Sequence, residues 1–315
     1  MSTTREQRLA DSIRASLGDV PVLLCGSRAT GAATATSDYD VLVGLPRRRI
    51  PFALGRLRSL DRALTRELGA AVTVNPLPAD LLGRPVRNLL VWKVAREGRL
   101  LAAPRGFSLP AVSAPPLDAS ARFSYLLTAL LNLLRDLPGE QLPDPLPASV
   151  AHGTGKALLH VLQLELMERG GYASTVGPAL AELDEARFDR IAAHASEPAG
   201  WLEVRDEVLG RLARLEPARS RAGSLAVNAR YATLAGLRGR PRFGAALSPR
   251  PIDHRLAAVA VELALAVRRE GDGRPAPSAA LALPRPLRRR AGASWSSIRD
   301  VVVEEWSHAH PVLAQ

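Results

Sequence analysis

The chain has 315 residues, 47% apolar and 23% charged, with 42 basic against 31 acidic side chains and a net charge of +11. That balance excludes a disordered, collagenous or coiled-coil chain, and no apolar run approaches the ~18 residues of a membrane span. A length of this order predicts two domains. The first 17 residues are polar and charged, which predicts no secretory leader. The single cysteine, Cys25, excludes an intrachain disulfide and suits a reducing compartment, so the expected location is cytoplasmic. Lys93 and Lys156 are the only lysines; every other cationic side chain is arginine. The arginines are scattered and aromatics reach only 4%. A positive balance therefore favours small anionic partners such as nucleotides or phosphorylated metabolites over nucleic acid, for which stacking platforms are scarce.

Residues 4–17 read as a helix, with Leu9, Ile13 and Leu17 on one stripe, Thr3 and Glu6 as a capping box and Gly18 as its end. Val22 to Cys25 is wholly apolar, as in a strand buried on both faces. A loop rich in Gly, Ala, Thr and Ser runs to Ser37, and a second strand follows over 39–45. An amphipathic helix over 52–68 closes at Gly69. Residues 71–75 read as a third strand that Pro76 stops, and 89–101 is apolar with a turn at Gly98. The first ~105 residues thus form a small α/β domain with a short mixed sheet. Pro104, Pro110, Pro115 and Pro116 mark a linker. Asp118 is a good N-cap, and beyond it the chain reads as all-α, with helices near 119–136, 149–169, 178–194, 200–214, 222–237 and 253–270. Residues 271–315 read as a Pro/Arg-rich linker, including Arg288 to Arg290, and a last helix carrying Trp295, Ile298, Val302 and Trp306. The expected division is 1–105, 118–270 and 271–315.

The chemistry concentrates between Val22 and Val43. The first strand ends at Gly26 and Ser27, where a missing side chain lets backbone approach a ligand, and a helix starting there offers N–H groups and the Ser27 hydroxyl to phosphate. Asp38 and Asp40 lie two apart at the start of the next strand, so both side chains are expected on one face. Two carboxylates held together repel unless a cation lies between them, and hard oxygen ligands select Mg²⁺ or Mn²⁺. A phosphate cradle beside a carboxylate-bound divalent ion is what nucleoside triphosphate chemistry requires.

An apolar strand, Gly26-Ser27, a spacer of about ten residues and Asp38-Tyr39-Asp40 in a second strand resemble the fingerprint of the DNA polymerase β-like nucleotidyltransferase superfamily. Gly31, Ser37 and the stretch from Trp92 to Leu101 look like its small bacterial members, the minimal nucleotidyltransferase domains. The resemblance covers residues 19–105. It implies an N-terminal nucleotidyltransferase domain followed by a helical domain that completes a cleft, with an NTP as co-substrate and Mg²⁺ or Mn²⁺ on Asp38 and Asp40. It also implies transfer of a nucleoside monophosphate to an acceptor hydroxyl or phosphate, with release of pyrophosphate. The acceptor by this analogy is a small molecule; a protein or RNA acceptor, or a catalytically silent nucleotide-binding protein, are the alternatives. Gly26, Ser27, Arg28 and, from the helical half, Lys156 would hold the phosphates.

One departure stands out. The superfamily adds a third acidic residue from the next strand, and here the matching position is Thr73, which shares a face with Asn75. Neutral oxygens can complete a Mg²⁺ shell but cannot act as a general base. Asp80, or Glu165 in the helical half, could supply the acid; an acceptor that is already anionic would not need one. No Cys or His spacing points to zinc.

Overall fold

The computed structural model describes residues 4–33, 37–82, 89–109, 111–112, 114–215, 252–267, 287 and 294–309. The chain divides into two units, Met1–Pro116 and Leu117–Gln315. The helix expected over 222–237 and the arginine run Arg288 to Arg290 lie outside the described residues.

The first unit opens with α1 (Arg5–Leu17), which is capped by Thr4 rather than Thr3. The Thr4 hydroxyl accepts from the Gln7 N–H at 3.2 Å, and Gly18 ends the helix with a positive φ. Thr4 and Gln7 have the same three-residue spacing as Thr3 and Glu6, so the pattern slid by one position. Strands β1 (Val22–Cys25), β2 (Tyr39–Leu45), β3 (Val72–Pro78) and β4 (Arg99–Ala102) form one mixed sheet in the order β3-β2-β1-β4. β1 is antiparallel to β2 and β4, and β2 is parallel to β3. The parallel pair requires a crossover, supplied by a 3₁₀ turn (Arg47–Arg49) and α3 (Ile50–Leu68). The short α2 (Gly26–Thr30) follows β1, while α4 (Ala79–Leu82) and α5 (Leu89–Glu97) precede β4. One face of the sheet buries Val22, Leu24, Val41, Val43, Val72 and Val74 under Leu9 and Ile13 of α1 and Leu57 and Leu64 of α3. On the other face Leu23 and Leu42 are also buried, with α4 packed on β2 and β3 and α5 against α4 and α2. Both faces are covered, which explains the nearly unbroken apolar runs of β1 and β2.

β3 does not stop at Pro76; it continues in register to Pro78. Strand direction decides this. The amide of Val72 donates to the Thr65 hydroxyl at 3.0 Å and that of Val74 to the Asp61 carboxylate at 2.7 Å, so even-numbered amides face the outer edge, toward α3. Pro76 and Pro78 share that parity and forfeit no ladder hydrogen bond. Burial pushes the Asp61 carboxyl up, partly offset by the bond from Val74. Asp61→Ala should therefore cost about 1–3 kcal/mol of stability by leaving the Val74 N–H unsatisfied. Asp61→Asn, which keeps an acceptor without a buried charge, should cost clearly less. Urea unfolding of the two variants measures the difference.

The regular elements among the second unit's described residues are helices: α6 (Ala119–Leu134), α7 (Ala148–Glu168), α8 (Val176–Leu183), α9 (Ala186–Ala193), α10 (Pro198–Ala213), α11 (Ile252–Ala266) and α12 (Trp295–Ala309). The single helix expected over 178–194 is two, broken where Asp184 adopts φ 50°. α6 is apolar on all sides because α7, α10, α11 and α12 all pack on it. Indole N–H groups pin the helices together: Trp201 donates to Leu133 O at 3.2 Å and Trp295 to Leu263 O at 3.1 Å. Ile298, Val302 and Trp306 are buried, so the last helix belongs to this unit. No helix among the described residues is long and apolar enough to cross a membrane.

Candidate functional site at the end of strands β1 and β2

β1 runs out at Cys25, whose antiparallel partner is Asp40, and Asp40 stands in parallel register with Thr73. Cys25, Asp40 and Thr73 therefore form one row across three strands, with side chains on the same face. The chain turns immediately after that row. Gly26 has φ +68°, a conformation that suits glycine, and a Cβ placed there would stand 2.9 Å from Asp40 Oδ2. The Asp40 carboxylate thus occupies the space that any other residue at 26 would fill with its side chain. Asp40 is half-buried and Asp38, just before β2, is exposed.

The loop that carries Asp38 is held by Arg28. Its Nε donates to the carbonyl oxygens of Ser37 and Asp38, each at 3.0 Å, and Nη2 also donates to Ser37 O. The guanidinium stacks 3.9 Å from the centre of the Tyr39 ring, which is buried on the opposite face. Arg28 thus ties α2 to the segment entering β2, a positioning contact that the sequence pattern does not reveal. Ser27 lies in the first turn of α2; its carbonyl accepts from the Thr30 hydroxyl at 3.2 Å and from the Ala32 N–H at 2.9 Å.

Two further charged groups reach this end of the sheet. In the β1–β4 pairing Arg99 lies opposite Leu24, so the α5–β4 junction at Glu97 and Gly98 runs beside Cys25 and Gly26. Lys93 and Glu97, one turn apart on α5, form an ion pair at 3.9 Å with side chains only 23% and 14% exposed. The Cys25 thiol registers both. Burial pushes it up to about 12, the negative charges of Asp40 and Glu97 add to the rise, and the Lys93 ammonium partly offsets it. Cys25 is accordingly an inert thiol.

The remaining residues singled out in the sequence lie elsewhere. Asn75 is buried two positions beyond Thr73, in register with Leu42. Asp80, in the first turn of α4, receives Arg47 Nε at 3.1 Å on both carboxylate oxygens. It is separated from Thr73 by the length of β3, about 3.3 Å per residue, so it is not gathered with Asp38 and Asp40. Lys156 is half-buried on α7 of the second unit, where its carbonyl contacts His160 Nδ1 at 2.7 Å. Glu165 is committed to arginines: Arg211 at 2.6 Å and Arg169 at 2.8 Å. Burial raises its pKa, but the hydrogen bonds from those two guanidinium groups prevail and hold it below the ordinary carboxylate value. A depressed carboxyl contributes stability above its unfolded pKa and loses it as pH falls through the folded one. The thermal midpoint should therefore drop as pH is lowered below the ordinary carboxylate range, and Glu165→Gln should flatten that part of the profile.

Among the described residues no group of three or more His, Cys, Asp or Glu side chains converges in a metal-holding arrangement. The hard-oxygen side chains at the β1–β2 end include Asp40, with the neutral Thr73 hydroxyl beside it in the row, and Asp38 in the loop entering β2. Hard oxygen atoms of this kind fit Mg²⁺ or Mn²⁺ rather than a softer ion. Comparison of the chain with protein-family models, with curated proteins and with solved structures gave no match.

Proposed function

We propose that the first unit is a metal-dependent nucleotidyltransferase domain. In this reading it moves a nucleoside monophosphate from an NTP to an acceptor, a small molecule bearing a hydroxyl or phosphate, and releases pyrophosphate. The observation that carries the reading is the fit between Asp40 and Gly26: a carboxylate lies in the space left by a glycine at a strand-to-helix turn. That contact seats the carboxylate that would hold the metal against the Gly26–Ser27 turn, and the polyphosphate would lie on the other side of the ion, against the turn's remaining backbone. Asp38 and Asp40 would ligate Mg²⁺ or Mn²⁺, which when bound neutralises charge developing on the phosphates. Gly26 and Ser27 would hold the β- and γ-phosphates, and Arg28 would fix the loop that presents Asp38. The acceptor oxygen would attack the α-phosphorus in line with departing pyrophosphate, so positioning and electrostatics carry the rate.

The neutral Thr73 beside Asp40 favours an acceptor that arrives ionised, such as a phosphate, since no proton then needs removing. The neutral residue at that β3 position also supports a second reading, a nucleotide-binding protein without turnover. Pyrophosphate release, screened over the four NTPs with Mg²⁺ and with phosphorylated and neutral acceptors, separates the two. Release with any acceptor supports transfer; tight NTP binding without release supports the silent binder. Neither binding nor release would refute both.

A further inference from the structure

The geometry points to Lys93 as the cation that grips the polyphosphate at this site, with Glu97 as the residue that holds it in place. This rests on the nucleotide reading of the β1–β2 end and adds a residue from α5, an element to which that reading assigns nothing. Strand pairing provides the placement. Because Arg99 opposes Leu24, the end of α5 is held one strand spacing, about 4.8 Å, from the Cys25–Gly26 turn. α5 also packs against α2, the helix that carries Ser27. Lys93 lies one helical turn back from Glu97 on the same side of α5.

Burial sets the pair apart from ordinary surface charges. A lysine and a glutamate on a surface helix ordinarily extend into water, yet these are 77% and 86% covered. The α5–β4 junction that follows Glu97 runs beside Cys25, which shares a row with Asp40. Such a pair is costly to bury and is more readily explained by a third charged group nearby than by stability. Composition adds to this. The chain uses arginine almost everywhere, so the bias alone would place arginine at 93. A compact ammonium on a flexible stem can follow a polyphosphate as a point charge where a planar guanidinium is constrained.

Inorganic triphosphate with Mg²⁺, titrated calorimetrically into the full chain, tests this without knowledge of the base. Lys93→Met should weaken triphosphate binding tenfold or more. The same variant should bind Mn²⁺ alone as tightly as wild type or more tightly, because a positive charge near Asp40 has gone. A merely structural role would weaken both affinities rather than that for triphosphate alone. Lys93→Gln, which keeps length and a hydrogen-bond donor, repeats the test if the methionine variant packs poorly. Arg96→Met, on the same helix but exposed, should change neither affinity. Wild-type triphosphate affinity in both Lys93 variants overturns the inference and leaves the nucleotide reading standing. Equal losses in the Lys93 and Arg96 variants also overturn it, as a general field effect. A wild-type chain that binds neither triphosphate nor Mn²⁺ overturns the inference together with the reading beneath it.

Discussion

Asparagine in place of Asp40 is expected to reduce Mg²⁺-dependent pyrophosphate release by on the order of 10³-fold, the rate equivalent of the several kcal/mol that a correctly held metal ion supplies. The substitution is nearly isosteric and Asp40 is only half-buried, so the sheet should keep its thermal midpoint. The Oδ2 position over Gly26 would still be filled, by an amide or a neutral oxygen in place of a carboxylate. Asp38→Asn should act in the same direction but less strongly, because Asp38 is exposed and lies outside the ladder. Turnover in Asp40→Asn within twofold of wild type would remove Asp40 from the chemistry.

Gly26→Ala is expected to damage folding and binding together. A non-glycine residue at φ +68° costs about 1–3 kcal/mol, and the new Cβ would meet the Asp40 carboxylate at 2.9 Å. The carboxylate must move, since the other side of the contact is backbone. The outcome should be a clearly lower thermal midpoint together with Mn²⁺ binding weakened at least tenfold. Gly31→Ala is the matched comparison: it too has positive φ, but a Cβ there meets nothing within 4 Å. It should lose similar stability and keep its metal affinity. If the two alanine variants bind Mn²⁺ equally well, the contact between residue 26 and Asp40 has no bearing on the site.

The sequence made the elements of the first unit visible because each carries its own period. Leu57, Leu64 and Leu68 mark the inner side of α3, and Val41 to Val43 mark a strand covered on both faces. It misplaced features that depend on partners. Pro76 reads as a stop until the outward parity of the β3 amides is known, and that parity is set by Asp61 and Thr65 on another helix. The break between α8 and α9 is two residues, left-handed Asp184 and extended Glu185, that interrupt a helical spacing of apolar positions. At the site, Gly26, Asp40 and Thr73 were legible as a spacing, and their register now places them side by side. Lys93 and Glu97 were not, because only the pairing of β4 with β1 brings a segment some 70 residues downstream to the Gly26 turn. The hints were the rarity of lysine in this chain and the resemblance of the stretch from Trp92 to Leu101, neither of which assigns a role to these two residues. Arg28 was legible as a charge but not as a brace, since its partners are the carbonyl oxygens of Ser37 and Asp38.

The most direct measurement is a crystal of the full chain grown with Mn²⁺ and a non-hydrolysable nucleoside triphosphate, with the ion located by its anomalous scattering. Manganese on the carboxylates of Asp38 and Asp40, with the triphosphate tail against the Gly26–Ser27 backbone, is the predicted result. Manganese bound elsewhere, or a tail directed away from that turn, would contradict it.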